Sequence, residues 1–434
     1  MNHMLKKKKA MVLSGGGTRG VYENGAVKAL CELGMDDWDL VTGTSVGALN
    51  AALIVQKDYE KMDDLWANLQ REDIIRGELP TDFTWESLFN NAGMRTLLSQ
   101  YVHSGGADIS PFIERAEALF DPEGFMKSDT DFGCVTVQFP LMRPLYVTKH
   151  MMADDGLQWL ISSASAYPVF PVHKFDKGEF IDGGYYDNLP VDEALRLGAE
   201  EIIVIDLHHR PQHPQYMNRS FITYICPTSD TGTFMDFSSD TLNRLGICGY
   251  NDVMKVYGRY AGCAYTFDRK TIPAWFDSFE RELAIIENNA FRAGAVSELL
   301  RSDQPVMDRL MQNTCRKVLS REEVFYSIMD ELLTMAGADI RRILTYEEAA
   351  DRILARFAPC AYEDYRMPSV LNAVDLRNYF GRTDTASITG ALVHMSLYPG
   401  HAVIPQRAAQ TMYPYECALA AFVLKLMYEL GGRR

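Results

Sequence analysis

The sequence predicts an α/β domain followed by a mainly helical C-terminal domain. Short apolar runs that end in glycine-rich turns, with helical patterns directly after the turns, indicate the α/β domain. Beyond about Trp275 the chain reads as successive amphipathic helices with few strand-like runs. At 434 residues it is also too long for one ordinary core. We therefore expect two domains, over residues 8–260 and 270–434.

The first predicted strand and helix enclose a glycine loop. Residues 10–14 form an apolar run, the loop GGGTRG follows at 15–20, and a helical pattern continues to about Leu33. Taken alone, this loop has the spacing of a dinucleotide phosphate loop, and Asp39 stands about 20 residues further on as the acid such a site uses. A nucleotide site would explain this loop but would give no role to the next glycine turn, at residues 43–47.

The next turn places a serine between a strand and a helix. Residues 39–42 read as a buried strand, the turn GTSVG follows at 43–47, and a small-residue helix begins near residue 48. Glycines suit such a sharp turn because they lack a Cβ atom. The Ser45 hydroxyl would lie beside a helix N-terminus, which favours negative charge on an attacked oxygen. The pattern predicts an esterase nucleophile, with a plain Gly-Ser turn as the alternative.

A third turn brings a carboxylate to the end of a strand. Residues 180–182 end in Asp182, the glycines of DGG follow, and a helix is predicted from near Val191. An aspartate before glycine also commonly caps its own backbone, so this motif alone leaves both roles open. With the serine turn it favours a hydrolase, because glycine amides beside Ser45 would form an oxyanion hole.

In this order, the motifs GGGTRG, GTSVG and DGG resemble those of the patatin-like phospholipases, a family of lipid acyl hydrolases. The segment SASAYPVFP at 163–171 resembles the one that precedes the Asp-Gly turn in that family. Residues 236–238 and 249–250 resemble it less specifically. The resemblance covers roughly residues 8–260 and implies a three-layer α/β/α fold.

The resemblance also implies a serine–aspartate dyad that needs no histidine, cofactor or metal. Ser45 maps to the nucleophile and Asp182 to its base, which would also activate the water that hydrolyses the acyl-enzyme. The surrounding turns map to the oxyanion loop (Gly15, Gly16, Gly17, Arg19, Gly20), the nucleophile elbow (Gly43, Gly47) and the aspartate turn (Gly183, Gly184). We interpret the Arg19 side chain separately, as a solvated arginine that supports the loop or a helix end.

A Ser-His-Asp triad is the competing arrangement. Ser45, Asp182 and then His208 or His209 follow the chain order of α/β-hydrolases. The histidines leave a predicted buried strand at 201–207, where open α/β sheets place their ligands. We favour the dyad because the serine follows the apparent second strand and the glycine loop directly precedes it. A non-hydrolytic module that binds lipid or nucleotide is the alternative from another class.

Composition and charge limit the partners. A net charge of −15 argues against nucleic acid and against long-range attraction to an anionic membrane. Contact with a lipid or a membrane-surface acyl ester should then be local and apolar. Lys6–Lys9 is the one dense basic run and reads as a solvated tail. No apolar stretch is long enough to predict a transmembrane helix or a signal peptide.

The remaining residues carry weaker signals. Eight scattered cysteines without a C-x-x-C pair suit a cytoplasmic protein, with a peripheral position at membranes left open. His209 and His213 do not predict a zinc site, because prolines break any helix that would align them.

Residues 225–251 are predicted as a loop and short helix that join the two domains. Three aromatic residues are predicted either as walls of an acyl pocket or as core: Phe170, Tyr185 and Tyr186.

Overall fold

The computed structural model describes residues 7–77, 101, 105–292, 306–315, 317–357, 384–399 and 406–431. The chain divides into two compact units, Met1–Tyr257 and Gly258–Arg434. The first unit has a mixed sheet flanked by helices, and the second is mainly helical. The predicted α/β/α fold with a helical C-terminal part is therefore confirmed.

The strands described in the first unit form one sheet. They are β1 (Lys9–Leu13), β2 (Leu40–Thr44), β3 (Asp131–Gln138), β4 (Arg143–Thr148), β5 (His173–Phe175), β6 (Gly178–Asp182), β7 (Glu201–Ile205) and β8 (Ile222–Ile225). Their order is β5-β6-β3-β2-β1-β7-β8, and β4 pairs with β3 outside this path. The pairs among β1, β2, β3, β7 and β8 are parallel, whereas β4, β5 and β6 pair antiparallel.

Helices cover the sheet. They are α1 (Gly20–Glu32), α2 (Val46–Gln56), α3 (Tyr59–Asn68), α4 (Ser110–Leu119), α5 (Pro122–Lys127), α6 (Met152–Ser163), α7 (Val191–Arg196) and α8 (Ser239–Val256). Short 3₁₀ turns occur at Gly17–Arg19, Arg71–Asp73, Lys149–Met151, Gly183–Tyr185 and Pro214–Tyr216. In β1, Ala10 and Val12 pack in one cluster with α7, while Met11 and Leu13 face the other side and are also fully buried. Burial on both faces explains why these short parallel strands are almost entirely apolar.

The strand pairing brings the ends of β2 and β6 together. β4 occupies one edge of β3 over residues 133–138, so β2 and β6 share the other edge. β2 runs parallel to β3 and ends at Thr44, opposite Val135. β6 runs antiparallel and ends at Asp182, opposite Thr136. The two strands therefore meet with their carboxyl ends on neighbouring positions of β3.

Helix α8 belongs to the first unit. A loop and then a helix occur over 225–251 as predicted, but the helix is longer than expected, with 18 residues over 239–256. It packs on α1 and lies within the first unit, so the prediction that this segment joins the two domains is wrong. The residues that favoured a loop, such as Pro227 and Gly232, precede the helix. Close approach to α1 requires glycine, since a Cβ on Gly249 would lie 2.0 Å from the Tyr22 carbonyl oxygen.

The second unit has its own aromatic core. Its helices are α9 (Phe276–Arg292), α10 (Val306–Asn313), α11 (Arg321–Met335), α12 (Tyr346–Phe357), α13 (Thr385–Leu397), α14 (Gln406–Met412) and α15 (Pro414–Gly431). Two-residue strands, β9 (Thr266–Phe267) and β10 (Ile343–Leu344), pair in parallel. Phe422 of α15 packs against Phe276, Phe279 and Phe325, and all four side chains are fully buried.

Some features used in the sequence analysis extend beyond the described residues. The first of the amphipathic helices expected beyond Trp275, over residues 279–300, is described only as far as Arg292. Lys6 of the basic run and Cys360 also lie outside the described residues. None of the seven cysteines in the described ranges is in a disulfide bond. Of the described helices, none combines the length and the apolar character that crossing a bilayer requires.

Candidate active site

Ser45 lies in a strained turn between β2 and α2. Its φ is 56° and its ψ is −127°, a conformation that a residue with a side chain rarely adopts. The glycines at both ends of the turn are required by close backbone contacts. A Cβ on Gly43 would lie 2.3 Å from the Gly47 carbonyl oxygen, and one on Gly47 would lie 2.6 Å from the Ser14 carbonyl oxygen. The Ser45 hydroxyl does not cap α2, so it is available for other contacts.

Ser163 holds the backbone of this turn. The Ser45 N–H donates to Ser163 Oγ over 3.0 Å, and the Ser163 hydroxyl donates to the Val135 carbonyl oxygen over 2.7 Å. Ser163 is fully buried at the end of α6 and therefore ties the serine turn to β3. The sequence did not single out this residue, although it begins the SASAYPVFP segment.

Asp182 is a buried carboxylate in contact with Ser45. It is 2% exposed, and the Gly184 N–H donates to its Oδ1 over 2.7 Å. Burial raises the pKa of Asp182 to about 6, while hydrogen bonds from the Ser45 side chain and the Gly184 amide oppose this shift. The structure therefore brings the two predicted residues together. Asp182 also caps its own turn, which is the second role considered for the DGG motif.

Asn188 joins the aspartate turn to the glycine loop. Its carbonyl oxygen accepts the Gly15 N–H over 2.9 Å, and its side-chain amide donates to the Gly15 carbonyl oxygen over 3.0 Å. A Cβ on Gly15 would lie 2.2 Å from Asn188 Oδ1, and one on Gly184 would lie 2.7 Å from it, so a side chain at either position would displace the Asn188 amide. A Cβ on Gly183 would lie 2.2 Å from the Val135 carbonyl oxygen. Asn188 follows the DGG motif closely, but its residue type gave no signal of this role.

Some backbone amides of the glycine loop donate to acceptors among the described residues, and others do not. The Gly15, Arg19 and Gly20 amides donate to carbonyl oxygens of Asn188, Gly16 and the Gly17–Thr18 turn, respectively. No acceptor among the described residues takes the N–H of Gly16 or Gly17. Both residues line a cavity together with Ser45. Of the five predicted oxyanion residues, Gly16 and Gly17 therefore have available amides, while the other three use theirs to shape the loop.

Arg19 is buried, so its prediction as a solvated side chain is wrong. It is 8% exposed, and its Nε–H donates to the Gly16 carbonyl oxygen over 3.2 Å. Burial lowers the pKa of Arg19 to about 10, and the carboxylates of Asp206 and Asp230 oppose this shift. A carbonyl and the next N–H point in opposite directions in a trans peptide plane. By holding the Gly16 carbonyl, Arg19 therefore orients the Gly17 N–H.

The two histidines contact other groups than Asp182. Asp206 lies fully buried after β7, and both the His208 N–H and its ring Nδ1 lie within 3.1 Å of Asp206 Oδ1. Burial alone would raise the pKa of Asp206, but hydrogen bonds from His208, Gln212 and Tyr224 hold it below its usual value. His209 Nδ1 lies 2.9 Å from the Pro227 carbonyl oxygen. Neither histidine lines the cavity that contains Ser45 and Asp182.

Asp39 and the glycine loop lie at opposite ends of the neighbouring parallel strands β1 and β2. Asp39 precedes β2, and its carboxylate accepts the Lys9 N–H over 2.8 Å at the start of β1. The glycine loop follows the carboxyl end of β1. The acid of the dinucleotide interpretation is therefore at the wrong end of its strand. The described residues contain no group of three or more His, Cys, Asp or Glu side chains placed to hold a metal ion.

An apolar cavity of about 140 Å³ adjoins Ser45 and Asp182. Its walls are mainly aliphatic and aromatic, and they include Leu49, Leu53, Trp66, Phe112, Phe120 and Phe170. Phe170 lines the cavity and also belongs to a buried core cluster, so both roles considered for it apply. Tyr185 and Tyr186 do not line it, and Tyr186 is 61% exposed.

Residues 11–195 match the family model described as patatin-like phospholipase. Patatin-like phospholipase domain-containing protein 7 of Rattus norvegicus is 27% identical over 210 residues, which are 47% of this chain and 14% of that protein. Lysophospholipase nte1 of Aspergillus terreus is 28% identical over 207 residues, which are 45% of this chain and 12% of that protein. The chain thus spans only a small part of the length of these curated relatives.

Two solved structures are also similar to the chain. VipD from Legionella pneumophila aligns with a TM-score of 0.36 and 15% identity, over 98% of this chain and 90% of that chain. The type III effector protein ExoU aligns with a TM-score of 0.33 and 14% identity, over 98% of this chain and 89% of that chain.

Proposed function

We propose that this chain, which belongs to the patatin-like phospholipase family through residues 11–195, is a lipid acyl hydrolase with Ser45 as nucleophile and Asp182 as base. One observation carries the proposal. Ser45 and the buried Asp182 line the same cavity, and burial raises the pKa of Asp182 to about 6 although interaction with the Ser45 side chain opposes the rise. A carboxylate with this pKa is a stronger base than an exposed aspartate and is still ionised at neutral pH. The proposed pair therefore needs no third residue to activate the serine.

Acylation begins when Ser45 Oγ attacks the ester carbonyl carbon. Asp182 accepts the Ser45 proton, and the carbonyl π electrons move to the oxygen as the tetrahedral intermediate forms. When that intermediate collapses, the C–O bond to the alcohol breaks and Asp182 gives its proton to the leaving oxygen. The product is an acyl-Ser45 ester and a free alcohol.

Deacylation repeats these steps with water. Asp182 accepts a proton from a water molecule whose oxygen attacks the acyl-Ser45 carbonyl carbon. Collapse of the second intermediate breaks the bond to Ser45 Oγ, which takes the proton back from Asp182. The fatty acid leaves and the dyad returns to its starting state.

The glycine loop supports the oxyanion in both steps. The Gly16 and Gly17 amides have no acceptor among the described residues and line the cavity beside Ser45. Such fixed donors stabilise negative charge that develops only in the transition state. We assign Arg19 as a positioning residue, because it reaches the oxyanion only through the Gly16–Gly17 peptide.

The substrate class follows from the cavity and the family. An apolar cavity beside the serine suits a fatty-acyl chain better than a polar acyl group. One similar protein is named a lysophospholipase, and we extend to this chain the hydrolysis of acyl esters of phospholipids or lysophospholipids. A cytoplasmic enzyme that meets lipid at a membrane surface is part of the proposal. None of the seven described cysteines is in a disulfide bond, which fits a reducing compartment.

The test compares the native protein with three variants. We expect Ser45→Ala and Asp182→Asn each to lower the rate of fatty-acid release from a p-nitrophenyl acyl ester and from phospholipid vesicles by about 10³-fold or more. A His208→Ala/His209→Ala double variant should keep the native rate within a few-fold, because neither ring lines the cavity. Thermal unfolding of each variant serves as the control for folding.

Other outcomes would support other functions. Loss of activity in a folded histidine variant would favour a Ser-His-Asp triad. No ester hydrolysis by the native protein, together with no labelling of Ser45 by a fluorophosphonate, would favour a non-hydrolytic lipid-binding module.

A further inference from the structure

The cavity beside Ser45 follows one side of helix α2 from its first residue to its last. Val46, Leu49, Leu53 and Gln56 line it at intervals of three and four residues, so they form one stripe along the helix. Ala52 lines it as well. Ser45 immediately precedes α2, so one end of the stripe is the proposed catalytic end and the other lies at Gln56.

The far end of this stripe is closed by hydrogen bonds. The Gln56 side-chain amide donates to the Leu119 carbonyl oxygen over 3.1 Å and to Asp58 Oδ2 over 3.3 Å, and its Oε1 accepts the Asp121 N–H over 3.0 Å. Leu119 and Phe120 line the cavity at the same place. Gln56 thus has both polar atoms engaged and contributes a fixed wall instead of a group that would bind a polar ligand.

The lining between the two ends is apolar, apart from Asn50 of α2 and Arg115 of α4. The Asn50 amide is engaged with Glu23, Gly20 and Trp66. Arg115 lies one turn before Leu119, and one of its terminal nitrogens lies 4.0 Å from Asp73. The aliphatic part of an arginine side chain can cover apolar surface while its charge reaches a carboxylate. A hydrocarbon chain is therefore the ligand that this lining suits.

We infer that this cavity holds one extended acyl chain along α2, and that the Gln56 end limits the length of the chain that Ser45 can cleave from its ester. The inference rests on the proposed function. From Val46 to Gln56 the helix rises about 15 Å. At slightly less than one C–C bond length per carbon atom, this distance accommodates about twelve carbon atoms. The preferred substrates would be esters whose acyl chains have about twelve carbon atoms.

The inference is tested by the rates for p-nitrophenyl esters whose acyl chains have four, eight, twelve and sixteen carbon atoms. For the native protein we expect kcat/KM to rise up to about the twelve-carbon ester, because each added methylene gains apolar contact along α2. Ala52→Leu fills the distal part of the cavity. It should lower kcat/KM for the twelve-carbon ester about tenfold or more and leave the four-carbon ester within about twofold.

A matched variant at the catalytic end should behave differently. Ala166 lines the same cavity, and it follows Ser165, whose carbonyl oxygen accepts the Asp182 N–H over 2.8 Å. Ala166→Leu should therefore lower kcat/KM for all four esters, including the shortest. Thermal unfolding reports whether Ala52→Leu is folded, and Leu53→Phe is the second distal variant if it is not.

The outcomes separate this inference from the proposed function. Equal losses for short and long esters in both distal variants, or no loss in either, would overturn the length limit while leaving the hydrolase intact. No hydrolysis of any ester by the native protein, with no fluorophosphonate labelling of Ser45, would overturn both. A selective loss of long esters in the distal variants alone would establish the limit.

Discussion

At the scale of residues, the burial of Asp182 sets the pH range in which its carboxylate can act as the proposed base. Only its ionised form can accept the Ser45 proton, and burial raises its pKa to about 6. We therefore expect kcat/KM for an acyl ester to be low at pH 5, to rise as the pH passes through about 6, and to level off above it. An exposed aspartate would place this rise near pH 4. The measurement is a pH–rate profile of the native protein under conditions where kcat/KM is determined directly.

A variant of Arg19 tests whether Asp182 is the group that sets the midpoint of this pH–rate profile. Arg19→Lys removes the Nε–H that holds the Gly16 carbonyl but leaves Asp182 and its burial unchanged. It should lower kcat without moving the midpoint of the profile. A native midpoint near pH 4 would show that Asp182 titrates as an exposed carboxyl group and would contradict the assignment of a buried base.

At the scale of elements, the close packing of α8 on α1 depends on Gly249 more than on Gly246. A Cβ on Gly249 would lie 2.0 Å from the Tyr22 carbonyl oxygen, a backbone atom within α1 that cannot move alone. We expect Gly249→Ala to lower the free energy of unfolding of the first unit by about 2 kcal/mol or more. Gly246→Ala is the control, because its Cβ would meet Val21 at an ordinary distance of 3.5 Å. It should be neutral or stabilise the helix by up to about 1 kcal/mol.

Urea unfolding of both alanine variants measures the difference. The two substitutions have the same effect on intrinsic helix propensity, so the difference in their unfolding free energies isolates the close contact with α1. Equal effects would show that α8 shifts to accept the added methyl group at little cost.

The elements also show what the sequence could and could not predict. β1, β2 and α2 were predicted closely because short apolar runs that end in glycine turns are local patterns. The contact between Ser45 and Asp182 depends on β2 and β6 sharing one edge of β3, which is a non-local pairing with no local pattern. The motif resemblance supplied both residues, but not the reason that they meet.

The supporting residues were missed for a related reason. Ser163 and Asn188 act on backbone groups of Ser45 and Gly15, so nothing in their residue type distinguishes them from ordinary buried polar residues. The occupied amide of Gly15 was equally invisible, because its acceptor, the Asn188 carbonyl oxygen, comes from a distant part of the chain. Arg19 was predicted to be solvated because the sequence does not show that Asp206 and Asp230 lie close to it.

At the scale of the whole molecule, the three apolar core clusters formed by described residues each lie within one of the two units. Units with separate cores can unfold in separate transitions. We expect two transitions in differential scanning calorimetry, with Gly249→Ala lowering the temperature of one and Phe422→Ala lowering the temperature of the other. Phe422 is fully buried against Phe276, Phe279 and Phe325, so truncation to alanine should cost its unit about 3–5 kcal/mol. If both variants lower a single common transition, the units unfold cooperatively, and the helical C-terminal part then contributes directly to the stability of the unit that carries Ser45.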